Sequence, residues 1–300
     1  MDVIKVSNLV KSYNGKRVVD GVNLEIKQGE IFGIIGPNGA GKTTTLECIE
    51  GLNIPDAGSK IQVLGLNPQK DRKKLYLQIG VQLQESSYPQ FSKVKDIAKT
   101  MEVFYKKARS YKELFGEFNL LEKENFYITT LSGGQKQRLS IALALMNNPK
   151  IVFLDEVTSG LDPEARREMW KWILKLKENG ITVVLTTHYM EEAQAVCDRV
   201  AFFKNGQIIA LDTPNGIIES CNLLDKIEVK LGSEEEVAKF KDLIEFEISV
   251  EKDLNVTVLG DSEMSSKVIE VIVKEKVVYS DLKVIKPNLE DAYLYLAKAI

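Results

Sequence analysis

The sequence is poor in cysteine, histidine and tryptophan, and it has no long uninterrupted apolar run. Its three cysteines, Cys48, Cys197 and Cys221, are odd in number and far apart. That argues against a disulfide framework, a zinc site or a covalent metal cluster, and it fits a reducing compartment. No segment approaches the roughly 20 apolar residues needed to span a bilayer. Met1-Asp2-Val3-Ile4-Lys5 also lacks the basic-then-apolar plan of a signal peptide. A basic excess is missing too: the formal net charge is −3, which does not favour direct nucleic-acid binding. With 44% hydrophobic residues in 300, the chain has material for one large domain or two ordinary ones. The expectation is a soluble chain whose membrane role, if any, comes through a partner.

What the sequence does have is concentrated in Gly36-Pro37-Asn38-Gly39-Ala40-Gly41-Lys42-Thr43-Thr44. Four residues separate Gly36 from Gly41, and Lys42-Thr43 follow at once, which is phosphate-loop spacing. The apolar run Ile31 to Ile35 suits a buried strand, and Thr44 to Ile49 has helix-forming composition. Strand, glycine loop and helix start together make an anion site, where the helix dipole adds roughly half a positive charge. Candidate nucleotide contacts are Gly36, Asn38, Gly39, Gly41, Lys42, Thr43 and Thr44. Lys42 would reach the β- and γ-phosphates of a nucleotide such as ATP, and the Thr43 hydroxyl would join Mg²⁺.

Around this loop the chain changes character several times. Residues 3–35 read as strands, with Asn14-Gly15 as a two-residue hairpin turn and Tyr13 at its mouth. Another β segment runs from Ser59 to Gly65. Residues 73–148 are mainly helical after Ile79-Gly80-Val81, with helices over Asp96–Ala108, Tyr111–Leu121 and Ser132–Met146. Strand and helix then alternate: Ile151–Leu154, Pro163–Asn179, Ile181–Leu185 and Met190–Val196, followed by two short strands around Asn205-Gly206. Such alternation implies an α/β fold, a parallel sheet covered by helices. Beyond Thr213-Pro214 the pattern shifts to a separate small α+β domain over 220–300. There Ile227, Val229 and Leu231 alternate with charges, and Val268, Glu270, Ile272 and Lys274 are read the same way. Glu234–Ile244 reads as an amphipathic helix, and Asn288 caps a last one to Ala299.

Two further motifs carry chemistry. Ile151 to Glu156 is an apolar strand ending in two carboxylates, of which Asp155 could hold Mg²⁺ and Glu156 could take a proton from water. Ser132, Gly133, Gly134 and Gln135 open a helix and make a second anion-binding start. One ATP needs one such cradle, so the second points to a nucleotide held by another copy.

With Leu131 to Gln135 upstream of Asp155-Glu156, and Ser159-Gly160-Leu161-Asp162 and His188 downstream, residues 1 to about 214 resemble the ATP-binding subunits of ABC transporters. The resemblance implies a P-loop NTPase fold with a RecA-like core, an antiparallel β subdomain and a helical subdomain near 85–148. It implies an ATPase using ATP and Mg²⁺, pairing as a homodimer or with a related subunit and serving an integral-membrane permease from the cytoplasmic face of the membrane. His188 matches the family's switch histidine and Asp162 belongs to its D-loop. Gln84 matches the glutamine that touches Mg²⁺ and the attacking water, with Gln82 as competitor. Tyr13 matches the aromatic that stacks on adenine, against plain packing in the hairpin. Val157 stands where the family usually has proline. Pro287 to Tyr293 resembles the tail of ABC-2-type, drug-resistance-like exporters, which favours export. A soluble relative acting on ribosomes or DNA is the alternative, and nothing in this chain names a cargo.

Overall fold

A computed structural model describes residues 1–83, 88–89, 91–261 and 263–299. By chain contacts it divides into two compact units, 1–214 and 215–300.

In the first unit, β1 (Asp2–Tyr13) and β2 (Lys16–Lys27) form an antiparallel hairpin. Asn14 and Gly15 have φ of 49° and 80°, the left-handed pair that a tight two-residue turn demands and that Asn-Gly supplies at least cost. The chain then enters β3 (Ile31–Ile35), the loop of residues 36–41, and α1 (Lys42–Glu50). After β4 (Lys60–Val63), which adds to β1, come the single turn α2 (Arg72–Leu75) and β5 (Ile79–Gln82). The helical segment holds α3 (Val94–Phe104), α4 (Tyr111–Glu117) and α5 (Gly133–Ala144). Two of these are shorter than the sequence suggests. Tyr105 is already extended at φ −113° and ψ 124°. Asn119, with φ 54°, turns the chain away before Leu121.

The remainder alternates: β6 (Ile151–Asp155), α6 (Pro163–Glu178), β7 (Thr182–Thr187), α7 (Met190–Val196), β8 (Arg199–Lys204) and β9 (Gln207–Asp212). These build a six-stranded sheet in the order β5-β6-β7-β3-β8-β9, parallel except for the β8–β9 hairpin. Strands β3, β6 and β7 are buried along their whole length, as parallel strands covered on both faces must be. Because neighbours β6, β7 and β3 run in one direction, Asp155, Thr186-Thr187 and the glycine loop all emerge at the same sheet edge. Open α/β sheets place ligands at such carboxyl ends.

The second unit starts with α8 (Pro214–Ser220), which straddles the division. Then follow β10 (Asp225–Leu231), α9 (Glu234–Leu243), β11 (Glu247–Val250), β12 (Asn255–Gly260), α10 (Met264–Lys274), β13 (Tyr279–Ile285) and α11 (Leu289–Ala299). This βαββαβ order, with an antiparallel sheet β11-β12-β10-β13, is a ferredoxin-like split βαβ pair. The strand-like reading of Val268 to Lys274 is corrected here, since these residues lie in α10. Met264, Val268 and Ile272 are all buried, four residues apart, and that spacing satisfies a helical face as well as strict alternation. They close over Phe240, Val256 and Val258 in the unit's own core.

Candidate active site

The glycine loop is shaped by what glycine omits. A Cβ on Gly36 would stand 2.4 Å from the Phe203 carbonyl oxygen. One on Gly41, whose φ is 97°, would stand 2.6 Å from that of Val18. The backbone therefore hugs β8 and β2 in a path closed to other residues. Lys42 begins α1 with its side chain 4% exposed. Its Nζ donates to the carbonyls of Gly36 (2.9 Å) and Pro37 (3.2 Å) and lies 3.4 Å from Glu156 Oε1. The cation is thus folded back into the loop with three oxygens around it.

Next to it, Thr43 Oγ1 donates to Asp155 Oδ1 at 3.2 Å, and Thr186 Oγ1 donates to the same oxygen. Burial raises the Asp155 pKa from its ordinary value. The donors Thr186 and Thr43 and the charge of Lys42 oppose the shift, and the charge of Glu156 adds to it. Glu156 has φ 46°, a left-handed conformation that costs a non-glycine residue about 1–3 kcal/mol. Its N–H is held by the Thr186 carbonyl (3.2 Å) and hydroxyl (3.0 Å), which fixes the unusual backbone. Val157 is buried behind it, and no proline restricts the backbone of the preceding glutamate. His188 Nδ1 lies 3.5 Å from Glu156 Oε2, is buried, and makes no hydrogen bond among the described residues.

Lys42, Thr43, Asp155, Glu156 and His188 are thereby brought together. Of these, Lys42, Thr43 and Glu156 line an open cavity of about 230 Å³ together with Val18, Asn38, Gly39, Gly41 and Thr44, whereas Gly36, Asp155 and His188 are not in its lining. Tyr13 is not in that lining. It is 42% exposed, and its hydroxyl accepts a hydrogen bond from Asn53 Nδ2. Gln84 lies outside the described residues. Its competitor Gln82 is buried and accepts from the Asp155 N–H at 3.0 Å, supporting the strand end that carries both carboxylates.

Ser132 to Gln135 stand apart as a capping box at the start of α5. The Gln135 N–H donates to Ser132 Oγ (3.3 Å), and the Ser132 N–H donates to Gln135 Oε1 (3.0 Å). Gly134 faces Leu161 and Ala165, next to Asp162, which caps α6 through the N–H groups of Glu164 and Ala165.

Sequence reasoning missed Thr186, Gln82 as a support, and above all Glu192. This carboxylate is 1% exposed and accepts from Thr158 Oγ1 (3.0 Å) and Trp170 Nε1 (3.2 Å). It ties the segment after Glu156 to α6 and to α7, the helix that follows His188. Burial raises its pKa, against the donors Thr187, Thr158 and Trp170 and the charge of Arg166. Only the charged residue on an otherwise apolar face of α7 hinted at it.

The arrangement has known counterparts. The family described as ABC transporter matches residues 19–159. A Nod factor export ATP-binding protein of Rhizobium etli is 34% identical over 303 residues, covering 99% of this chain and 93% of its own. This chain belongs to the ABC transporter ATP-binding family. A second Nod factor export ATP-binding protein, from Burkholderia orbicola, is 39% identical over 231 residues, 75% of this chain and 76% of its own. Among solved structures, a dimeric ATP-binding cassette in a post-hydrolysis state bound to ADP and phosphate superposes with TM-score 0.64. It is 29% identical and covers 70% of this chain and 98% of its own. Part of an ABC transporter complex of Clostridium perfringens superposes with TM-score 0.65, at 28% identity over 74% of this chain and 94% of its own. The ABC ATPase described here binds ATP and hydrolyses it to power transport. Among the described residues no helix is long and apolar enough to cross a membrane.

Proposed function

We propose that two copies of the cassette, or one copy and a related subunit, close around two ATP molecules and drive export through a separate membrane permease. One observation supports this most. The cavity at the glycine loop is small and open, and none of Ser132, Gly133, Gly134 or Gln135 is among its described lining residues. A pocket that buries a whole ligand usually needs about 300–1,000 Å³. A second copy's capping-box helix start would supply the missing wall and further N–H donors for the γ-phosphate.

Within one site, Lys42 leaves Glu156 to meet the phosphates, which carry more negative charge than one carboxylate. Glu156, relieved of that partner, takes the proton of the attacking water, while His188 and Asp155 keep it positioned. The hard oxygens of Thr43 and Asp155, with Gln84 in the family position, suit Mg²⁺, which would neutralise charge developing on the phosphoryl oxygens. Tyr13 is the adenine-stacking side chain only if the closed state turns it from Asn53 toward the base. Export is favoured by the names of the Rhizobium and Burkholderia relatives and by the Pro287–Tyr293 segment. The permease would hold the cassette at the cytoplasmic face of the membrane.

Glu156→Gln tests this reading. Turnover should fall by roughly 10²–10⁴, the usual worth of a general base, and ATP should trap a dimer visible by size-exclusion chromatography. Undiminished phosphate release would remove Glu156 from the role.

A further inference from the structure

Among the described residues the sheet of the second unit ends in two edge strands, β11 and β13, and the sequence of β13 is complementary to itself. In the sheet order β11-β12-β10-β13, strand β13 has β10 on one side and, among the described residues, no strand on the other. Natural proteins guard such edges with charge, and Asp281 and Lys283, 56% and 61% exposed and ion-paired with each other at 3.2 Å, sit in the middle of this one, where a partner strand would let each exchange that exposed pair for one across the edge. Yet apolar side chains flank them: Val278, Tyr279, Val284 and Ile285 are 60%, 49%, 41% and 38% exposed. Glu228 lies beside Lys283 and Lys230 beside Asp281 in the β10 register, so the charged face is fixed by the sheet rather than by local disorder.

If two such edges meet antiparallel about a two-fold axis perpendicular to the sheet, one residue of the strand sits on the axis. With Asp281 or Lys283 there, like charges face each other. With Leu282 there, Asp281 falls opposite the partner's Lys283 and Lys283 opposite the partner's Asp281. Ser280 then faces the partner's Val284, and Tyr279 the partner's Ile285, an aromatic–β-branched pair of the kind that stabilises sheets. Among registers centred within the strand, this is the one that sets opposite charges directly across from one another. The other edge, β11 (Glu-Ile-Ser-Val), carries an acid and no base and has no such register.

We infer that β13 is a docking edge for a second copy of this chain, joining two four-stranded sheets into one of eight strands without nucleotide. The inference deepens the paired-cassette reading and rests on it for its purpose, which is to keep two ATPase units together between ATP-driven closures. The contact itself needs no ATP, which is how the two are told apart.

The test uses full-length, nucleotide-free protein in sedimentation velocity over a concentration series. Wild type should show a reversible monomer–dimer equilibrium. Lys283→Asp alone sets two acids against two acids, and Asp281→Lys alone sets two bases against two bases. Each should weaken association by roughly 10-fold or more, the sum of two cross-strand pairs turned repulsive. An equimolar mixture of the two variants should associate again, because each acid then meets a base. A wild type that stays monomeric, single variants that associate like wild type, or a mixture that stays apart would each overturn the inference. Far-UV circular dichroism should match wild type at these exposed positions. Hydrogen exchange on wild type gives a readout free of mutation: the β13 amides should gain protection as concentration rises, and unchanged exchange counts against the contact. Failure of ATP to dimerise Glu156→Gln at concentrations where it is monomeric without nucleotide, with nucleotide-free association intact at higher concentration, would instead sink the paired-cassette reading and leave this one standing.

Discussion

The starts of α1 and α5 are built from similar residues and end in opposite conditions. Both use glycines to present backbone N–H groups at a helix start. At α1 the loop is exposed only at residues 37–39, its lysine is clasped by two carbonyls and Glu156, and the neighbouring Asp155 carboxylate is held by Thr43 and Thr186. At α5 the serine and glutamine satisfy one another, and Ser132 to Gln135 are not in the lining of the glycine-loop cavity. The difference is what the proposed pairing requires: an α1 start whose lysine and carboxylates are held ready for phosphate, and an α5 start whose cap is complete within its own chain.

Breaking the α1 side should have the larger effect. Lys42→Ala should lower ATP hydrolysis by roughly 10²–10³ or more, the scale of losing one electrostatic donor, and should weaken ATP binding in equilibrium dialysis. Wild-type affinity in this variant would make the clasp structural. Glu192 sharpens the comparison by asking what holds the two regions in register. Glu192→Ala leaves Trp170 Nε1 and Thr158 without their acceptor, and about 2–3 kcal/mol of stability should go in urea unfolding. Glu192→Gln should cost about 1 kcal/mol.

The pH dependence of that pair has a definite sign. Burial raises the Glu192 pKa in the folded chain from the ordinary 4.5, so folding takes up a proton there. The stability so gained is complete below pH 4.5 and is lost as pH rises through the raised value. Wild type should therefore lose stability relative to Glu192→Gln across the interval just above pH 4.5, and parallel curves would contradict the burial argument.

On the α5 side, Ser132→Ala should cost about 1 kcal/mol of stability through the lost cap. If α5 serves the partner's nucleotide, hydrolysis should also fall while ATP binding to separate chains stays unchanged. The smallest effect concerns chemistry the site does not use. Burial pushes the Cys48 thiol up to about 12, so iodoacetamide at pH 8 should leave Cys48 unmodified in the native protein and label it after unfolding.

Much of this was legible because the constraints are local. Asn14-Gly15 and Asn205-Gly206 dictate their hairpins, and Gly36 to Thr43 dictates a loop, from a few adjacent residues. The capping box of Ser132 and Gln135 is a three-residue relation. Thr186, Gln82 and Glu192 were not legible because their partners are set by strand register and helix docking, over separations of 31, 73 and 34 residues. Helix α10 was misread for another reason: Val268 and Ile272 are four apart, which two periodicities share. For Tyr13 the adenine-stacking role rests on the family resemblance alone, and the structure adds a hydrogen bond from Asn53 that no spacing announces.

The central claim is that α5 of one chain completes the α1 site of another. Turnover per chain, measured during stepwise dilution with the association state followed in the same samples, tests it most directly. The account predicts that turnover falls in proportion as dimers dissociate. Constant turnover per chain in samples that sediment wholly as monomer would contradict it.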